Sequence, residues 1–168
     1  MDVLVNYTRG FFAVMATLAL VLLDTSLFSF IRIYDSTIIS SFIILIVFAL
    51  LGHSFYLKIM IPAAIIALAA LSSLPLWVIA FAFFLLPGIV LFLRQTYVPE
   101  PTVIVTITAL LLTTFLFQSA LLVSDLRFVA GAGLTTAYFI FLNTVVGTVV
   151  FAANQRLRQK WMRGEIKL

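Results

Sequence analysis

Residues 59–93 read IMIPAAIIALAALSSLPLWVIAFAFFLLPGIVLFL. These 35 residues carry no charge. As one helix they would be about 52 Å long, far beyond the roughly 30 Å hydrocarbon core of a bilayer. The run therefore has to fold back. Ser72-Ser73-Leu74-Pro75 supplies the break, because proline lacks the backbone N–H and pushes the residue before it out of the helical region. Proline is also accommodated in the first turn of a new helix. A short helix over 58–72 and another over 75–95 are the expected pair.

Further apolar segments lie on either side. One spans 10–31 and is interrupted only by Asp24; the next spans 36–56, with His53 near its end. Tyr97-Val98-Pro99-Glu100-Pro101 reads as a loop, followed by apolar segments over 102–124 and 128–155. The expected fold is an all-α polytopic integral membrane protein. Six transmembrane helices form a single domain over 1–168, with a basic tail over 156–168.

The composition agrees: 64% of residues are hydrophobic and 10% charged, against about 25% charged in a soluble globular domain. A soluble enzyme, a disordered chain and a disulfide scaffold are excluded. With no cysteine in the chain, thiol catalysis, thiolate zinc sites and CxxC redox chemistry are excluded too. The sequence has no HExxH, GxSxG or P-loop motif and no paired intramembrane aspartates. His53 is the single histidine, and no His, Glu or Asp stands three or four residues from it. No catalytic residue, cofactor or metal site is expected, and the chain reads as a non-enzyme.

Orientation follows from the distribution of basic residues. With six spans and both termini in the cytoplasm, the inner side holds Arg9, Lys58, Arg94, Arg156, Arg158, Lys160, Arg163 and Lys167, and the outer side only Arg32 and Arg127. A multi-pass membrane protein with both termini on the cytoplasmic side is expected. The tail residues Arg156, Arg158, Lys160 and Arg163 suit anionic lipid headgroups, at about 1 kcal/mol for each basic residue near the surface. The sequence pI of about 9.8 reflects this placement. Scattered tail charges without a soluble domain do not make a nucleic-acid reader. Asp24-Thr25-Ser26-Leu27 is not an A-x-A-like cleavage site, so the first helix is expected to stay in place.

Polar residues inside the spans carry the remaining information. Asp24 costs about 2.5–3.5 kcal/mol to insert near a helix centre, while the large apolar residues between Phe11 and Ile31 return roughly 5 kcal/mol. The carboxyl must then face protein or water. It can serve as a proton or cation relay or as a contact to a partner helix. In the plainer reading it is bonded to Thr25, Ser26 or an adjacent helix. Thr136, Asn143, Gly147 and Asn154 fall on one face of the last helix, and Thr106, Thr113, Thr114 and Gln118 mark the helix before it. Such faces suit close helix packing and interhelical hydrogen bonds; a solute pathway is the functional alternative. Asp24, Gln118, Thr136, Asn143 and Gly147 are thus the candidate packing or partner contacts. Ala63, Ala67 and Ala70 suggest a close-packing face on the third helix, and Ala80, Phe84 and Gly88 a mixed one on the fourth, which Pro87 should kink.

Leu22-Leu23-Asp24-Thr25-Ser26-Leu27-Phe28-Ser29-Phe30, then Ile33-Tyr34-Asp35-Ser36, then a span ending Phe48-Ala49-Leu50-Leu51-Gly52, resembles the MreD family of rod shape-determining membrane proteins. In that family a Leu-Leu-Gln-Thr-Thr-Leu motif precedes a short turn with Pro-Asp and an apolar helix ending in Ala-Leu and glycine. Asp24 stands at the family's glutamine, and Asp35 matches the turn aspartate. Asn143 and the basic Arg156-Leu157-Arg158-Gln159-Lys160 match the family's last helix and ending. Tyr34 replaces the turn proline, and residues 62–73 are alanine-rich where the family is glycine-rich and ends in an acid.

The resemblance implies a non-enzymatic scaffold subunit of the bacterial cell-wall elongation complex. Its partners would be an MreC-like bitopic protein, the MreB filament, and RodA with a class B penicillin-binding protein. It also implies a bundle similar to the substrate-binding subunits of energy-coupling factor transporters, a likeness of fold that carries no function. The alternative reading is such a substrate-binding subunit for vitamin or metal uptake, with Trp77 stacking on a ligand. Trp77 otherwise reads as an interfacial anchor.

Overall fold

The computed structural model describes residues 2–27, 38–98, 100–125 and 132–162, with side chains for 7–26, 38–98, 100–124 and 133–157. Every regular element among these residues is helical. Helix α1 (Asp2–Leu22) runs into a π-helical turn, Leu23–Leu27. Helices α2 (Ser40–Leu51) and α3 (Ser54–Leu71) follow. Helix α4 (Leu76–Ala80), a second π-helical turn (Phe81–Leu85) and α5 (Leu86–Tyr97) form one continuous rod. Helices α6 (Val103–Asp125) and α7 (Ala132–Met162) complete the chain. Among the described residues five helical stretches are long and apolar enough to cross a membrane: Tyr7–Ser26, Ser54–Leu71, Leu76–Tyr97, Val103–Ser124 and Gly133–Leu157.

The long uncharged run folds back where proline demands it. Ser72 turns to extended backbone (φ −114°, ψ 154°), and its N–H donates to the Leu68 carbonyl. Pro75 caps the next helix, its carbonyl accepting from Val78 N–H at 2.9 Å. Pro87 does not break that helix. Its missing N–H is preceded by the wider π turn, in which Leu86 N–H reaches back to the Phe81 carbonyl.

The second expected span differs most from the structure. Instead of a helix over 36–56, α2 is helical only from Ser40 to Leu51, about 18 Å. It ends in a Schellman cap: Gly52 takes φ +77°, its N–H donates to the Ala49 carbonyl, and His53 N–H donates to the Phe48 carbonyl. Helix α3 then starts at Ser54, four residues before the expected boundary. The ring of His53 lies exposed in this turn, edge-on to Phe48 and Tyr56.

Short as it is, α2 is the centre of the bundle. It packs against α3, α5 and α7, while α1 pairs with α3 and α6 with α7. Phe42, Ile43, Leu45, Ile46, Val47, Ala49 and Leu50 are all buried, as expected for a helix that is apolar on every side. Phe42 meets Phe117 of α6 at 4.9 Å and Phe83 of the second π turn at 5.9 Å; Phe117 continues the cluster to Phe139 of α7 at 6.2 Å. Offset and edge-to-face pairs of this kind add about 0.5–1.5 kcal/mol each beyond their buried area.

Two expected packing faces are corrected. On the rod 76–97 the buried residues are Val78, Ile79, Ala82, Phe83, Leu86, Pro87 and Val90, while Ala80, Phe84 and Gly88 face outward. On α3 Ala67 is buried as expected and Ala63 is half-buried, but Ala70 is exposed and Ala64 is the second inward alanine. The last helix does not stop at 155. Helix α7 continues to Met162, about 46 Å in all, so Arg156, Arg158 and Lys160 belong to a helix longer than a bilayer core.

Candidate functional site

A helix of about 18 Å leaves one end inside a hydrocarbon core of about 30 Å. The free N–H groups of its first turn need acceptors wherever water does not reach them, and each buried orphan donor costs about 1–3 kcal/mol. The N-terminus of α2 has this problem in acute form. Its N-cap residue is Ile39, which has no side-chain oxygen to offer. Two other helices supply the acceptors.

The first is the carboxylate of Asp24, placed in the π turn that follows α1. Its Oδ1 accepts from Ser40 N–H at 2.8 Å and from the Ser40 hydroxyl at 2.6 Å. Its Oδ2 accepts from Ser41 N–H at 2.8 Å and also from the Ser41 hydroxyl. Both oxygens are thus matched to one serine each, main chain and side chain together. A negative group at this end of a helix is also favoured by the helix dipole. The second acceptor is Asn143 of α7, which is fully buried. Its Oδ1 accepts from Ile39 N–H at 2.9 Å, and its Nδ2 donates to the Phe139 carbonyl one turn earlier at 2.8 Å. Three successive N–H groups, from Ile39, Ser40 and Ser41, are satisfied from α1 and α7.

The Thr25 and Ser26 hydroxyls donate to carbonyls of the preceding helix, while Asp24 bonds the adjacent one. Thr25 Oγ1 donates to the Val21 carbonyl at 2.9 Å, and Ser26 Oγ donates to the Leu22 carbonyl. These hydroxyls occupy carbonyls at the junction where the helix widens from α to π. The adjacent-helix alternative is the one the geometry realises.

Of the other candidates, Gly147 lies one turn beyond Asn143 on α7. A Cβ there would stand 2.8 Å from both Leu110 methyls and 3.2 Å from Ile43 Cγ2, so the bare backbone lets α7 approach α6 and α2. Gln118 and Thr136 are half-buried on α6 and α7 and take no part in the Asp24–Asn143 site. Thr106, Thr113 and Thr114 are buried; Thr106 donates to the Thr102 carbonyl just before α6, and Thr113 and Thr114 donate to carbonyls within it. Asn154 donates to the Val150 carbonyl. Arg156 is exposed. The side chains of Arg158 and Lys160, all of Arg163, and the Ile33–Ser36 turn lie outside the described residues.

Sequence reasoning missed Ser40 and Ser41 as functional partners. Their signal was an adjacent pair of hydroxyls at the start of an apolar segment, the place where a helix N-terminus seeks polar groups. It also missed Arg94. The guanidinium of this residue lies over the Cα of Gly52, where a Cβ would come within 2.1 Å of Nη1. A cation therefore stands at the C-terminus of α2, the end its dipole favours.

Among the described residues no group of three or more His, Cys, Asp or Glu side chains is placed to hold a metal ion. The site can hold three helices in register; among the described residues no second carboxylate or histidine joins Asp24 there. No family model, no curated protein and no solved structure matches the chain.

Proposed function

We propose that this chain is a non-enzymatic, multi-pass scaffold subunit of the MreD type. It acts in the complex that elongates the bacterial cell wall and binds an MreC-like single-span partner. The observation that carries this reading is the saturation of Asp24. The one acid of the membrane-spanning segments accepts four hydrogen bonds from Ser40 and Ser41. An ion carrier needs a carboxylate that can exchange partners during transport. Asp24 instead holds α1 against α2, and Asn143 holds α7 against the same end. Polar groups spent on fixing a bundle suit a protein whose work is to present a surface.

Insertion with both termini in the cytoplasm of a bacterial inner membrane is part of the proposal. It is supported by the grouping of basic residues: Arg94 rests on Gly52, and Arg9 lines a groove with Phe48 and Tyr56 at the same end of α2. The substrate-binding alternative gains less. Trp77 is half exposed at the start of α4 and takes no part in the groove described below.

The test is co-purification from the native membrane in mild detergent, with bound proteins identified by mass spectrometry. An MreC-like single-span protein, with or without a wall synthase, is the expected result. Recovery of an ATPase pair with a coupling membrane subunit would overturn the proposal in favour of an uptake system.

A further inference from the structure

Helices α5 and α6 are neighbours in sequence, joined by residues 98–102. Consecutive antiparallel helices normally pack along their length. These two diverge instead: α5 leans on α2, and α6 on α7. The splay leaves an apolar groove of about 340 Å³. Its walls are Ile89 and Leu93 on one side and Ile104, Thr108 and Leu112 on the other, and Leu50 of α2 contributes to its lining. The groove follows α6 from Ile104 to Leu116, about 18 Å.

One charged side chain lines it, and that is Arg94. The guanidinium is held in place by Gly52, whose missing side chain leaves the space it fills. Its Nε is buried without an acceptor. Among the described residues no carboxylate pairs with it, and Glu100 in the adjoining loop is exposed. A buried, unmatched donor on an arginine is an unsatisfied site for an oxyanion, and guanidinium geometry matches phosphate oxygens two at a time.

We propose that this groove is a specific site for a phospholipid with an anionic headgroup. The acyl chain lies between α5 and α6, and the phosphate accepts from Arg94. The narrow, largely aliphatic walls between two diverging helices suit an extended acyl chain, and the one cation at its end suits the phosphate. Charge favours an anionic lipid over a zwitterionic one, because the phosphate's own counter-charge is then absent. The site is distinct from the basic end of α7, where Arg156 is exposed. It requires only that the chain sits in a bilayer, and it stands whether or not the chain is a cell-shape subunit.

The experiment uses the full chain, purified and delipidated in mild detergent, then offered equal amounts of phosphatidylglycerol and phosphatidylcholine and read by native mass spectrometry. Wild-type protein should retain one lipid per chain and prefer phosphatidylglycerol about fivefold, the factor expected for one basic residue at a headgroup. R94Q should remove the preference, and R94K should keep most of it. T108W, which fills the groove and leaves Arg94 intact, should lose both lipids. Equal retention of the two lipids by wild type, an undiminished preference in R94Q, or a full lipid complement in T108W would each overturn the proposal. A photo-crosslinker at Leu112 in native membranes should couple to lipid; coupling to a protein instead would make the groove a helix-docking site and overturn it as well.

Discussion

Asp24 and Arg94 stand at opposite ends of α2. The carboxylate accepts from Ser40 and Ser41 at the first turn, and the guanidinium lies against Gly52 at the last. A helix of only 12 residues is too short to bring both of its ends to water in a bilayer. The anion and the cation arrive from α1's π turn and from α5, each at the end where the helix dipole favours it. The central element is thereby fixed from outside itself.

Replacing Asp24 with asparagine should destabilise the protein even if no proton ever moves through it. An amide presents one acceptor oxygen where the carboxylate presents two, and its NH₂ would face the donors of one serine. A loss of about 1–3 kcal/mol is expected for D24N, and about 2–4 kcal/mol for D24A, which leaves all four donors unmatched. Thermal unfolding in detergent measures both. Tolerance of asparagine at this position therefore reports on capping as well as on proton carriage.

Asn143→Leu should cost about 1–3 kcal/mol, because the half-buried Ile39 N–H loses its acceptor. Asn143→Asp keeps an acceptor for Ile39 but surrenders the donation to Phe139 and brings a second carboxylate to the site. It should melt below wild type too. A melting temperature unchanged in both variants would contradict the assignment of Asn143 to this cap.

Gly147→Ala gains about 1 kcal/mol of helix propensity but drives a methyl against Leu110 and Ile43. Overpacking of a tight contact costs about 1–3 kcal/mol, so a small net loss is expected, and a larger one for Gly147→Leu. Leu110→Ala should relieve the clash: the double variant G147A/L110A should be more stable than the sum of its single effects.

Gly52 is constrained twice, by a left-handed backbone and by the guanidinium above it. Gly52→Ala should cost about 1 kcal/mol for the backbone alone, and more with Arg94 present. Made in an R94A background, the same change should cost only the backbone part. Equal costs in the two backgrounds would separate Arg94 from this turn.

Much of the architecture was legible because bilayer thickness sets helix length. A 35-residue uncharged run with Pro75 near its middle has to turn at 72–75, and it does. The end of α2 was less legible. Gly52 followed by His53 and Ser54 is a stop signal, but Phe55, Tyr56 and Leu57 carry the apolar character past it, and hydropathy alone extends the span to 56. The packing faces of the rod 76–97 could not be read from hydropathy, since lipid-facing residues are as apolar as core ones. Phe84, exposed, and Phe83, buried, are neighbours of identical chemistry. Asp24 and Asn143 stood out as polar residues in apolar helices. Their convergence on one helix end joins residues more than a hundred positions apart, a relation that no local pattern encodes.

The central claim is that Asp24 acts through Ser40 and Ser41. Its most direct test is a double-mutant cycle in thermal or denaturant unfolding, combining D24A with the paired S40A/S41A change. Coupling of about 1–2 kcal/mol is expected, because the serine hydroxyls lose most of their value once the carboxylate is gone. Strict additivity would contradict the claim and release Asp24 for another role.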